Sequence, residues 1–481
     1  MLRRLTLATA TATAALALSP VAASAQAARA ITQSDRSQGA QANPELVAQF
    51  GGRYDGPQAA FVERVGKRVA LQSGLSNSQN DFTVQLLDSP VENAFAIPGG
   101  YVYVTRQLLA LMNSEDELAF VMGHEVGHVA ARHSSGRQKT STIGGVLAGI
   151  VGAVAGNSGV GQLIGAGAQQ AAGLYTLKYG RDQEYQADTL GIRYVAGAGY
   201  DPNAAPLILN ALGAETALDA RAAGRDATAV PTWLSTHPSN AARVQRARQL
   251  AQQAARTGAP AGQDTAFLRM LDGMIYDDDP AQGVIDGQTF RHPQLRLRFT
   301  APAGYTIANG ADAVTVAGQG GQAQLAAAGR TAPAAAVVQR FQAIGGRIDV
   351  SQVRETTIGG RASAIATSSA AANNQRVDAT VVAMTLPTGT YTWTVITPQG
   401  SGIGPFEPLL ASFVPLSATE AAQIRGKRIR IHTVRAGDTI DSLSRQMAYP
   451  TLQRDRFLTL NGLADGATLA PGTLVKLVVT G

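Results

Sequence analysis

In the first half of the chain, apolar residues return at helical spacing. Phe61, Val62, Val65 and Val69 do so within residues 57–72, and Gly74 ends that segment. Residues 82–87 read as a strand. Asn93 to Ala96 and Tyr101 to Val104 then flank the turn Pro98-Gly99-Gly100, which predicts a hairpin. A helix starting at Arg106 leads to a second helix with an apolar stripe of Leu118, Val121, Met122, Val126 and Val129, opened by the S-x-x-E capping box of Ser114 and Glu117. Leu190, Ile192 and Val195 mark another helix.

Beyond residue 287 the pattern changes to alternation. Leu295, Leu297 and Phe299 alternate with polar neighbours, and residues 377–386 and 390–397 form a hairpin around Pro387-Thr388-Gly389. One helix, residues 334–344, follows Pro333 and stops at Gly345-Gly346. The expected fold is α+β and multidomain: a mostly helical unit over 45–270 with a small sheet, a linker at Asp277–Pro280, an α+β unit over 287–416, and a βααβ module over 429–480. Residues 26–50, polar and rich in Ala, Gln and Ser, are expected to be poorly ordered.

Residues 1–25 have the plan of a cleavable secretory signal: Arg3 and Arg4, an apolar run to Leu18, then Ala23-Ser24-Ala25. That predicts a periplasmic protein. Residues 143–156 are nearly all Gly, Ala, Val, Ile and Leu, too short to span a bilayer. They read as a flap or helical hairpin, or as a loop touching a membrane. Cysteine is absent, which excludes disulfides and thiolate-held metal. A net charge of +6, dispersed and without interleaved aromatics, argues against nucleic acid as a partner.

The candidate chemistry lies in His124-Glu125-Val126-Gly127-His128. Residues four apart on a helix present their side chains to one point, so the two imidazoles suit Zn²⁺, and Glu125 falls beside the ion as general base. Zinc needs a third protein ligand. Glu184 is the candidate, and Asp188, four residues on, suits the free N–H of a ligating histidine. His237, in a loop before Pro238, is expected at the metal, either stabilising the tetrahedral intermediate or occupying the open position at rest. Arg243 would orient His237 or bind a substrate carboxylate. His133 is expected as a charged helix-end residue favoured by the helix dipole.

H-E-V-G-H, then E-Y-Q-A-D, then S-T-H-P-S-x-x-x-R, with N-A-F-A-x-P-G-G upstream, resembles the M48 family of zinc metallopeptidases over roughly residues 50–250. The resemblance implies a zincin-like domain, Zn²⁺ on His124, His128 and Glu184, catalysis by Glu125, and a strand at Asn93, Ala94, Phe95 and Ala96 beside the site, able to pair with an extended peptide. It further implies an endopeptidase acting on unfolded or misassembled envelope proteins. Residues 430–479 resemble a LysM module, which implies binding to peptidoglycan. The rival reading is a non-catalytic, peptidoglycan-associated chaperone or scaffold whose zinc is closed off by His237.

Overall fold

The computed structural model describes residues 30–133, 179–222, 237, 241–254, 263–310, 313–372 and 375–481. The signal-like segment 1–25 and the Gly-rich stretch 143–156 lie outside the described residues. Among the described residues no helix is long and apolar enough to cross a membrane.

The N-terminal unit is helical around a small sheet. The polar stretch expected to lack order instead forms helix α1 (Gln33–Gln49). Thr32 accepts from the Asp35 N–H while the Asp35 carboxylate accepts from Thr32, a reciprocal cap. Leu46 and Phe50 then pack on Leu87, Phe95, Ile97 and Tyr103, so tertiary contact sustains a helix with few apolar residues and an internal Pro44. Helix α2 (Gln58–Ala70) buries Val62, Val65 and Val69 and ends before Gly74, whose φ of 74° is left-handed. Strands β1 (Thr83–Leu87), β2 (Ala94–Ile97) and β3 (Tyr101–Thr105) form a sheet of order β1-β3-β2. The β2–β3 pair is the expected hairpin and β2 the end strand.

Helix α3 (Arg106–Leu111) runs into α4 (Glu115–Ala130). The predicted capping box is half present. Ser114 accepts from the Glu117 N–H, but the Glu117 carboxylate accepts from Asn113 N, one residue further back. Every residue from Glu117 to His128 is buried, so α4 is enclosed all round and not amphipathic as expected. Against it lies α5 (Arg181–Gly197). Glycines set the approach of the two helices. A Cβ on Gly191 would stand 2.9 Å from His124 N, and one on Gly127 3.1 Å from the Ala187 carbonyl oxygen. Helices α6 (Ala204–Ala222), α7 (Ala241–Ala254) and α8 (Thr265–Met270) complete the unit.

The stretch at Asp277–Pro280, expected as a linker, is a half-buried joint. Short strand β4 (Ile275–Tyr276) pairs with the C-terminal module, and Asp277 accepts from Lys427 Nζ and Tyr449 Oη, each at 2.7 Å. The middle unit is more β than α. A seven-stranded sheet is covered on one face by helix α9 (Pro333–Ala343), through Phe341 and Val337, and on the other by Phe299, Phe406 and Phe413 around Trp393. The C-terminal module has the expected order: β5 (Lys427–Thr433), α10 (Ile440–Ser444), α11 (Gln453–Leu460) and β6 (Leu474–Thr480). Its core is continuous with that of the helical unit. Lys476, fully buried, donates to the carbonyls of Ala110, Leu111 and Met112 and so caps the C-terminus of α3.

Candidate metal centre

The 3.6-residue period of α4 stacks His124 and His128 on one face, and their Nε2 atoms point at one another 3.0 Å apart. Glu184, in the first turn of α5, brings Oε1 to 3.4 Å from His128 Nε2 and Oε2 to 3.6 Å from His124 Nε2. His237 joins them, with Nδ1 3.2 Å from His124 Nε2 and 3.1 Å from Glu184 Oε1. All four side chains are buried, and their donor atoms lie within 4.8 Å of one another.

This set fits a zinc ion on two counts. Tetrahedral ligands at about 2.0–2.1 Å from an ion lie roughly 3.3 Å from each other, within the spread of separations found here. The charges agree as well. Glu125, Glu184 and Asp188 are buried beside one guanidinium, that of Arg243. Two negative charges are left over, which a dication neutralises while the histidines stay neutral. Glu125 lies next to this cluster, its Oε1 3.7 Å from the outward nitrogen of His237, Nε2.

The residues behind the cluster hold its shape. Asp188 Oδ1 accepts from His124 Nδ1 at 2.9 Å, which turns the lone pair of Nε2 inward. Arg243 grips Asp188 with Nε and Nη2 at 2.7 and 2.8 Å, reaches Glu184 Oε2 with Nη1 at 2.6 Å, and donates from Nη1 to the His237 carbonyl at 3.1 Å. It thus joins Asp188, Glu184 and the backbone of His237. The alternative expectation, a substrate carboxylate on Arg243, meets a guanidinium already enclosed by these groups. Burial pushes the Asp188 carboxyl up, but the charge and hydrogen bonds of Arg243 outweigh it and hold the group at about 2. Burial likewise opposes ionisation of Glu184, and the adjoining histidines, His237 foremost, bring it well below the usual carboxylate range. His128 is held well below its ordinary value, chiefly by burial.

His133 is not the charged helix-end residue expected. It is buried, burial lowers its pKa, and its Nδ1 lies 2.9 Å from His128 Nδ1. The position five residues after His128 gave no helical reason to bring the two rings together. Tyr179 was also missed. Its ring stacks on His128 at 3.8 Å between centroids, tilted by 27°, and it lies 5.2 Å from His237. A sequence signal existed for the helix contact, in Gly123, Gly127 and Gly191. Ala94 to Ala96 lie at the end of the sheet on β2, directly after Asn93, and β2 packs against α4. The Asn93 N–H donates to Thr105, and the side chains of Ala94 and Phe95 are buried.

Residues 57–251 match the model of peptidase family M48, and this segment contains every residue of the cluster. The chain is 31% identical to a mitochondrial metalloendopeptidase OMA1 of Schizosaccharomyces pombe over 212 residues, 42% of this chain and 56% of that protein. It is 29% identical to a β-barrel assembly-enhancing protease of Yersinia pestis over 236 residues, 47% and 46% of the two chains. The protein of that name from Escherichia coli is 31% identical over 200 residues, 40% and 39% of the two. The chain thus spans about half the length, or less, of these curated relatives. Residues 57–251 are thus similar to peptidases of family M48, and they include a buried His/Glu cluster that could hold a metal ion.

Proposed function

We propose that this protein is a zinc-dependent endopeptidase of the bacterial envelope. The observation that carries the reading is the convergence of His124, His128 and Glu184 with Glu125 at their edge. Zinc, when bound, supplies Lewis-acid activation of a water and of a peptide carbonyl. The chain supplies the rest. Glu125, in a buried and therefore poorly screened place, takes a proton from the attacking water and returns it to the leaving amine. Strand β2 offers its edge to an extended substrate, so that main-chain hydrogen bonds align the scissile bond irrespective of sequence. Asp188 and Arg243 hold the ligands in their geometry.

His237 has two readings in this account. Its Nδ1 stands at ligand spacing from His124 and Glu184, which supports occupation of the open position at rest. Displacement of the His237 side chain would then release the site. The names of the bacterial relatives support misassembled envelope proteins as substrates, and the signal-like residues 1–25 support a periplasmic place. The βααβ module supports peptidoglycan binding, since the loops at 435–439 and 464–472 that border its helices are largely exposed.

The test is cleavage of unfolded casein by wild type, Glu125→Gln and His237→Ala, with zinc content measured in each. Glu125→Gln is expected to keep zinc and lose activity roughly a hundred- to ten-thousand-fold. A fully active Glu125→Gln contradicts the endopeptidase reading. Zinc in a wild type inert on every unfolded substrate favours the closed-site scaffold. A rise in cleavage for His237→Ala identifies a resting occupant, and a fall identifies a participant in the chemistry.

A further inference from the structure

His124 and His128 are held from behind by different chemistry. Behind His124 stands a carboxylate, Asp188. Behind His128 stands another imidazole. We propose that His133, together with Gln186, is a positioning residue that sets the tautomer of His128 and joins the end of α4 to the helix carrying Glu184. The proposal rests on the metal-centre reading above and deepens it.

The local backbone explains how His133 gets there. Helix α4 ends at Ala130, and Arg132 takes a left-handed φ of 55°. That reversal lets the His133 N–H donate to the His128 carbonyl at 3.1 Å and turns the His133 ring back onto the His128 ring. The ring centroids lie 4.9 Å apart at 73°, an edge-on approach that places nitrogen against nitrogen.

The hydrogens then follow in order. Gln186 Oε1 lies 3.0 Å from His133 Nε2, and an amide oxygen only accepts, so His133 carries its hydrogen on Nε2. The lone pair of His133 is therefore on Nδ1. His128 Nδ1, 2.9 Å away, must be the donor, which leaves the His128 Nε2 lone pair facing Glu184 and His124. A second contact closes the arrangement. Gln183 Nε2 donates to the His133 carbonyl at 3.3 Å, while Gln183 Oε1 accepts from Gly180 N at 3.0 Å. Gln183 and Gln186 lie on either side of Glu184 within the first two turns of α5, so His133 ties two ligand-bearing helices at the level of the ligands.

The experiment measures Zn²⁺ affinity by chelator competition and the visible spectrum of the Co²⁺-loaded protein, for wild type, His133→Ala, His133→Asn and Gln186→Leu. His133→Ala is expected to weaken Zn²⁺ binding roughly 10- to 100-fold, the usual effect of losing a partner behind a ligating histidine, and to alter the Co²⁺ bands. Asn places an amide oxygen near the position of His133 Nδ1, so His133→Asn should recover most of the loss. Gln186→Leu should weaken binding by a smaller factor. Wild-type affinity and spectrum in His133→Ala would overturn the proposal. So would equal losses in the Ala and Asn variants, which would make the residue merely space-filling. A wild type that binds neither metal would instead refute the metal centre itself, and the two failures are thereby distinct.

Discussion

Two buried ionic networks flank α3 and α4, and they treat charge in opposite ways. In the His/Glu cluster, carboxylates meet donors at short range. Arg243 reaches both Asp188 and Glu184, and imidazoles surround Glu184, so both acids are held low despite burial. At the joint with the C-terminal module, Lys427 and Tyr449 hold Asp277 low against burial, but the burial of its acidic neighbours goes unanswered. Glu92, whose Oε2 has no hydrogen-bond partner among the described residues, is pushed well above its ordinary value by burial and by its acidic neighbours Glu215, Asp219 and Asp277. Burial raises Glu215 to about 8, with Asp219 adding to it. The same cause raises Glu117 and lowers Lys476, although the two attract. A buried charge is cheap only where its partner is in place. The site is therefore preorganised in its ionised form, whereas the joint is sensitive to pH.

The sharpest way to break the contrast is Arg243→Ala. It would leave Asp188 and Glu184 buried without their cation, and about 3–5 kcal/mol of stability should be lost in urea unfolding of the metal-free protein. Wild-type stability in that variant would mean that the network is not paired as described.

Much of this network was legible beforehand, and the parts that were not share one cause. His124, Glu125 and His128 follow from a helical period, and Glu184 with Asp188 from the same period on a second helix. His133 did not, because its contact arises from a left-handed Arg132 and a ring folded back across a helix end, which no periodicity encodes. Asp277 looked like a linker residue because its partners, Lys427 and Tyr449, are 150 and 172 residues away. Helix α1 was hidden because its stability comes from Phe95 and Tyr103, not from its own polar sequence. Local pattern reveals ligands that share a helix, and it conceals whatever tertiary return brings together.

A smaller effect sharpens the comparison through pH. Asp188, at about 2 when folded against an ordinary 3.8, stabilises the fold above 3.8 and ceases to do so as pH falls through 2. His128, depressed from 6.5, also contributes above that value and loses its contribution below it. Glu215 has the opposite sign. Its contribution is full below the ordinary 4.5 and is lost as pH rises through about 8. Between pH 6.5 and 8 Glu215 therefore contributes a falling slope of stability, which Lys476, lowered to about 7, opposes above pH 7. Glu215→Gln should flatten it, as read from unfolding free energies across that range. An unchanged slope would remove Glu215 from the account.

The central claim is that four side chains from three separate stretches of the sequence surround one divalent ion. Anomalous diffraction at the zinc edge, on crystals grown with zinc, tests it most directly. The account predicts a single peak bounded by His124 Nε2, His128 Nε2 and a Glu184 carboxylate oxygen. No peak there, or a peak held by other residues, would contradict it.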